Sequence, residues 1–359
     1  MAQQAYLVLE NGKVFQGCSF GAVKDVVGEL VFTTAMTGYL ETLTDPSFYG
    51  QIVIQTFPLI GNYGVIPQDF ESEAPSLKAY IVREWCQDPS NFRSQGDLDT
   101  FLKASGVVGL YGIDTRALTR IVREVGVMNA KVMYQPPAEE DFAQLRTYRI
   151  ENAVKAVGCR PVSVTKPEGE IKHRVVLWSF GAKQNIEREL VKRGCEVTMV
   201  PADSTAEQIL AYKPDGIMLS NGPGDPMDNL DIVEQLRRVC EAKIPTFGIC
   251  MGHQLLALSQ GARTEKMKYG HRGENQPAKD TKTGRVYITS QNHGYVVVGD
   301  SLPATAEVRY INVNDGTCEG VSYHNMPAFS VQFHPEAAGG PLDTGFLFDE
   351  FMQLMEGAN

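Results

Sequence analysis

Residues 245–252 read Pro-Thr-Phe-Gly-Ile-Cys-Met-Gly, and the fold is decided here. The run up to Ile249 is short, apolar and opened by proline, which predicts a buried strand. From Met251 the sequence continues His-Gln-Leu-Leu-Ala-Leu, which predicts a helix. Cys250 therefore stands at a strand–helix junction between Gly248 and Gly252. This is the G-x-nucleophile-x-G form of a nucleophile elbow, with cysteine in place of serine. Glycines are needed because the turn is tight and the backbone must pass close to its neighbours. A helix N-terminus favours a thiolate through its dipole and free amides, and the Met251 amide can hold an oxyanion. Taken alone, a cysteine ending a core strand is more often a small packing residue. Cys195 and Cys240 have no such setting and read as structural.

Outward from the elbow the chain alternates. An apolar run at 175–180 precedes a helical stretch at 182–193, then a strand at 195–200 and helix signals at 205–212. Gly216-Ile217-Met218-Leu219 leads to an amphipathic stretch at 230–242. This βαβα order predicts a parallel sheet with helices on both faces, whose site lies at the carboxyl ends of the strands. There, after Leu219, comes Ser220-Asn221-Gly222-Pro223-Gly224-Asp225-Pro226. The loop is either an ordinary turn or a stiff wall offering a second oxyanion donor from Gly222. It is not a phosphate loop, since G-x-x-x-x-G-K-[ST] occurs nowhere in the chain.

A thiol nucleophile needs a base, and the base is better held by a carboxylate. Residues 329–336 read Phe-Ser-Val-Gln-Phe-His-Pro-Glu, so a strand delivers His334 at its end and Glu336 can fold back onto the imidazole. His253 competes as base but reads better as a packing residue of the elbow helix. His293, within Gln291-Asn292-His293-Gly294-Tyr295, reads as a pocket residue.

The first half has a different rhythm. Tyr6 to Phe15 reads as a hairpin whose Asn11-Gly12 is a type I′ turn signal. Strand-like runs follow at 28–35, 51–57 and 77–84. A helix begins after Asp114, carries Leu118, Ile121, Val122 and Val125 on one face, and stops at Gly126. The stretch 151–172, rich in proline, glycine and charge, is expected to link residues 1–150 to 173–359. The predicted fold class is α/β, a β-rich α/β domain followed by a parallel-sheet domain.

The chain has 359 residues, 43% of them hydrophobic, and a formal charge of -10. That is enough for two domains, and with no basic excess nucleic acid is not an expected partner. No run approaches the roughly 20 apolar residues a membrane helix requires, and Met1-Ala2-Gln3-Gln4 shows no basic leader region. Seven scattered cysteines without a CxxC pair suit a reducing cytoplasm. Six histidines, none paired at ligand spacing, give no metal site.

SNGPGDP, GICMGHQ and FHPE, in that order in one α/β domain, resemble the class I glutamine amidotransferases over roughly residues 173–359. The resemblance implies that Cys250, His334 and Glu336 form a catalytic triad acting on glutamine. It also implies oxyanion contacts from Met251 and Gly222 and a substrate-holding role for Gln254. FTTAMTGYLETLTDPSFYGQIVIQTFPLIGNYG (32–64), GLYGIDTRALTRIVRE (109–124) and ITSQNHGYVV (288–297) are similar to signatures of carbamoyl-phosphate synthase small subunits. By that likeness Ser47, Gly222, Gly224, Met251, Gln254, Asn292, Gly294 and Tyr295 contact L-glutamine. Tyr295 and Met251 stand where many relatives carry phenylalanine and leucine. The likeness further implies a large partner subunit, in a heterodimer or higher oligomer. That subunit would carry the ATP and divalent metal, leaving this chain without a cofactor. Whether the product serves arginine or pyrimidine biosynthesis stays open. Two other readings are a glutaminase subunit of a different synthase and a non-catalytic scaffold. The 32–64 segment speaks against the first, and the presence of Cys250 with both partners speaks against the second.

Overall fold

The computed structural model describes residues 3–357, so Met1 and Ala2 of the leader reading lie outside the described residues. The chain divides into two compact units, Met1–Glu151 and Asn152–Asn359. No helix among the described residues is long and apolar enough to cross a membrane.

The first unit contains strands β1 (Gln4–Leu9), β2 (Val14–Gly21), β3 (Val26–Thr33), β4 (Gln51–Gln55), β5 (Leu59–Ile60), β6 (Ala79–Ile81), β7 (Glu84–Trp85), β8 (Val108–Tyr111) and β9 (Met128–Met133). Seven of them close a barrel in the order β1-β2-β8-β6-β4-β3-β9, and β5 pairs with β7 separately. Its helices are α1 (Tyr39–Thr44), α2 (Leu98–Ala104), α3 (Thr115–Val125) and α4 (Glu139–Thr147). Val31, Leu40, Val53, Tyr80 and Leu102 are fully buried in one core.

The β1–β2 hairpin forms, but not through a type I′ turn. The Gly12 amide donates to the Leu9 carbonyl and the Leu9 amide to the Lys13 carbonyl. Only Gly12 takes a left-handed φ, 87°, so the connection is a three-residue loop with a glycine bulge. Helix α3 starts and ends as expected, with the Asp114 carboxylate accepting from the Ala117 amide at 3.0 Å. Of its predicted stripe, Leu118 and Val122 are fully buried while Val125 is 62% exposed. Ser47 sits in a 3-10 turn, Pro46–Phe48, where its amide donates to the Asp45 carboxylate at 2.9 Å.

The second unit adds α5 (Ala153–Gly158), β10 (Ser163–Thr165), β11 (His173–Trp178), α6 (Gln184–Lys192), β12 (Cys195–Val200), α7 (Ala206–Ala211) and β13 (Gly216–Leu219). Then follow α8 (Leu230–Glu241), β14 (Thr246–Ile249), α9 (Met251–Ser259), β15 (Thr264–Asp280), β16 (Val286–Val297), β17 (Ala306–Asn312), β18 (Cys318–Tyr323), β19 (Ala328–Val331) and α10 (Phe346–Glu356). The expected linker 151–172 is not a free connector. Val154 packs into the core of this unit, and β10 pairs antiparallel with β12.

The ten strands form one sheet, ordered β10-β12-β11-β13-β14-β19-β18-β17-β15-β16. Strands β12, β11, β13, β14 and β19 run parallel, whereas β18, β17, β15 and β16 join antiparallel. The sheet is thus mixed, with its antiparallel half built after the elbow helix. In β11 the side chains alternate between two cores. Val176 and Trp178 pack with α7, α8 and α9 on one face, and Val175 and Leu177 with α6 and α10 on the other. A strand covered on both faces reads as a continuous apolar run, as β11 does.

Candidate active site

Cys250 caps α9 with φ 52° and ψ -103°, a backbone state that L-residues other than glycine rarely adopt. Such strain persists only where the surroundings fix it. Here the Cys250 amide donates to the Val331 carbonyl of β19 at 2.9 Å, and the Gly252 amide to the Ser220 carbonyl at 2.9 Å. The need for the flanking glycine is steric. A Cβ on Gly252 would lie 2.4 Å from the Leu219 carbonyl oxygen. The junction places the thiol at the carboxyl end of β14, against the 220–226 loop.

His334 and Glu336 follow β19, the neighbour of β14 in the sheet. The His334 amide donates to the Ser290 carbonyl at 2.9 Å, which pins the strand end. His334 Nδ1 lies 2.7 Å from Glu336 Oε1. Nδ1–H then donates to the carboxylate, leaving Nε2 as the ring nitrogen free of Glu336. Nε2 is buried without a hydrogen-bond partner, and the Cys250 thiol is near enough to act on the ring's proton affinity.

Lys183, the N-cap of α6, enters the same cluster. Its Nζ is 3.3 Å from Glu336 Oε1 and 3.3 Å from His334 Nδ1. Burial and the Lys183 charge both lower the His334 pKa, but Glu336 and Cys250 outweigh them and hold it above the ordinary value. Burial pushes the Glu336 carboxyl up, while the charges of His334 and Lys183 bring it well below the usual range. The magnitudes agree with that order. Each ion pair at this spacing contributes about 5 kcal/mol at an effective dielectric near 20, against several kcal/mol for burying one carboxylate.

Of the other expected site residues of this unit, one contacts the thiol directly. The Asn292 carbonyl is 3.7 Å from Cys250 Sγ. Gln254 Nε2 donates to the Tyr295 carbonyl at 2.9 Å and to Gln332 Oε1 at 2.9 Å. Gly222 lets the loop close onto Phe180, whose carbonyl oxygen a Cβ would meet at 2.5 Å. Gly224 has φ 85°, and Gly294 abuts the Arg272 guanidinium. Met251 opens α9, where an amide has no intrahelical partner. Ser47 belongs to the first unit.

The two rival histidines are engaged otherwise. His253 is fully buried, with Nδ1 2.8 Å from Ser330 Oγ, and burial lowers its pKa to about 3. His293 Nδ1 lies 2.9 Å from the Tyr295 carbonyl, so the ring donates there. Sequence reading missed Lys183.

An elbow thiol and a carboxylate-held histidine thus follow neighbouring strands of this sheet, and residues 176–354 match the glutamine amidotransferase class-I family. Residues 7–132 match the carbamoyl-phosphate synthase small chain, CPSase domain. Among curated proteins, the carbamoyl phosphate synthase small chain of Clostridium perfringens is 50% identical, covering 98% of this chain and 99% of the relative. That of Fusobacterium nucleatum is 51% identical, with 98% of each covered, and that of Bacillus caldolyticus is 49% identical over 98% and 97%. The chain belongs to the carbamoyl-phosphate synthase small chain family.

Proposed function

We propose that this chain hydrolyses L-glutamine and passes the ammonia to a large ATP-using subunit that makes carbamoyl phosphate from it with bicarbonate. The observation that carries the reading is the buried Cys250–His334–Glu336 arrangement in a class I amidotransferase domain. Cys250 Sγ attacks the carboxamide carbon while His334 Nε2 takes the thiol proton. The amides of Met251 and Gly222 hold the oxyanion. The C–N bond breaks as His334 returns the proton to the leaving ammonia. His334 then removes a proton from water, which cleaves the thioester and releases glutamate. Glu336 orients the ring throughout. Gln254, Asn292, Gly294, Tyr295 and Gly224 line the glutamine, and Ser47→Ala, read as a rise in KM, tests the contact expected from the first unit.

Free ammonia is protonated at neutral pH, which supports direct transfer to a shielded second site. The free thiols of all seven cysteines suit the cytoplasm. The test is glutamate release from glutamine, by the chain alone and with the large subunit, bicarbonate and ATP. Slow release alone, strong stimulation by the partner and silence in Cys250→Ala are expected. Equal release by Cys250→Ala would overturn the thiol mechanism, and indifference to the partner would leave a glutaminase and remove the synthase assignment.

A further inference from the structure

Behind the site lies a buried polar cluster that the triad chemistry does not use. Glu319 on β18 is fully buried. Its Oε2 accepts from Gln291 Nε2 at 3.0 Å, and its Oε1 accepts from Asn312 Nδ2 at 3.4 Å. The same Oε1 lies 3.3 Å from His271 Nδ1. The other nitrogen of His271 is 2.8 Å from Asp315 Oδ2. Burial lowers the His271 pKa, but Glu319 and Asp315, one at each ring nitrogen, prevail and raise it. His271, His293 and Glu319 bring possible ligand atoms within 4.8 Å of one another. Both Glu319 oxygens already face amide N–H donors, however, which is the arrangement of a closed hydrogen-bond network and not of a cation site.

The location of this network matters more than its energy. The β15–β16 ladder is interrupted twice, between Lys266 and His271 and between Gly273 and Gln276. Between the breaks only His271–His293, Arg272–Asn292 and Gly273–Gln291 are paired. This isolated stretch carries the Asn292 carbonyl that faces Cys250 Sγ at 3.7 Å. Three residues on, the Tyr295 carbonyl accepts from Gln254. Backbone pairing alone leaves such a segment poorly registered. Glu319 holds it through Gln291 and, through its own carbonyl, accepts from the Gln332 amide at 2.9 Å.

We propose that His271, Asp315 and Glu319 form a positioning brace that sets the height of residues 291–295 over the thiol, and thereby govern glutamine binding without taking part in bond making. The proposal rests on the glutaminase reading above. Steady-state kinetics with the large subunit present test it. Glu319→Ala is expected to raise KM for glutamine about tenfold or more while kcat stays within about threefold, as a misplaced binding wall does. Glu319→Gln, which keeps an acceptor toward His271, should recover most of the loss. Asp315→Ala, at the half-exposed rim of the network, should raise KM by about threefold or more and decides the question if Glu319→Ala does not fold. Unchanged KM in the folded variants, or a fall in kcat at constant KM, overturns the brace. If the parent chain itself releases no glutamate, the glutaminase reading fails first, and the two failures are distinguished.

Discussion

At the residue scale the site is an arrangement of charges around one imidazole. Because Glu336 fixes the Nδ1 proton, His334 can accept only at Nε2, where the thiol is. In the proposed mechanism this nitrogen serves both thiol attack and hydrolysis of the thioester. His334→Asn is therefore expected to lower kcat by about 10²–10⁴-fold, the usual contribution of a general base. Since His334 also serves attack and ammonia departure in that mechanism, the variant should form no glutamyl adduct detectable by intact mass. Accumulation of the adduct in His334→Asn would mean that attack does not require this base. Gly252→Ala addresses the elbow. Its Cβ would collide with the rigid Leu219 backbone, a strain worth about 1–3 kcal/mol that should appear as a lower Tm together with lost activity.

At the scale of elements, α9 shows how a helix can be fastened under a reactive end. His253 lies on its buried face and is held neutral. Its folded pKa, about 3, is below the ordinary 6.5. The sign is that of a depressed group: its contribution to stability is complete above pH 6.5 and is lost as pH falls toward 3. One withheld proton removes about 1.4 kcal/mol per pH unit. Between pH 6 and 4 the unfolding free energy should thus fall more steeply in the parent than in His253→Asn, and equal slopes would show that His253 is not buried neutral. Legibility in the sequence follows from local chemistry. The capped helix α3 and the elbow were readable because Asp114, Gly126, Gly248 and Gly252 each act within a few residues. The Asn11-Gly12 turn type was not, since the loop length was set by β1–β2 register. Lys183 and Glu319 were invisible for the same reason: their partners are 151 residues away or lie on three other strands.

For the whole molecule, the two units keep separate cores, and the boundary falls at Glu151 and Asn152, not after a loose connector. Composition indicated two domains, but the burial of Val154 and the pairing of β10 depend on partners later in the chain. With its partner, the complex should separate nitrogen release from nitrogen use. Cys250→Ala together with the large subunit is expected to make carbamoyl phosphate from ammonium chloride but not from glutamine. The rate should climb with pH as the neutral amine grows in proportion. A variant unable to use either nitrogen source would indicate that the thiol also serves the assembly itself.

The place of β19 in the sheet has a consequence for a chain still being synthesised. The elbow strand β14 is complete by Ile249, yet the strand that accepts the Cys250 amide is Ala328–Val331, and the base comes after it. A nascent chain halted before residue 328 holds a thiol with neither its backbone anchor nor its proton acceptor. Such a fragment lacks the assembled site, so a chain stalled there carries a thiol without the groups that the proposed glutaminase needs.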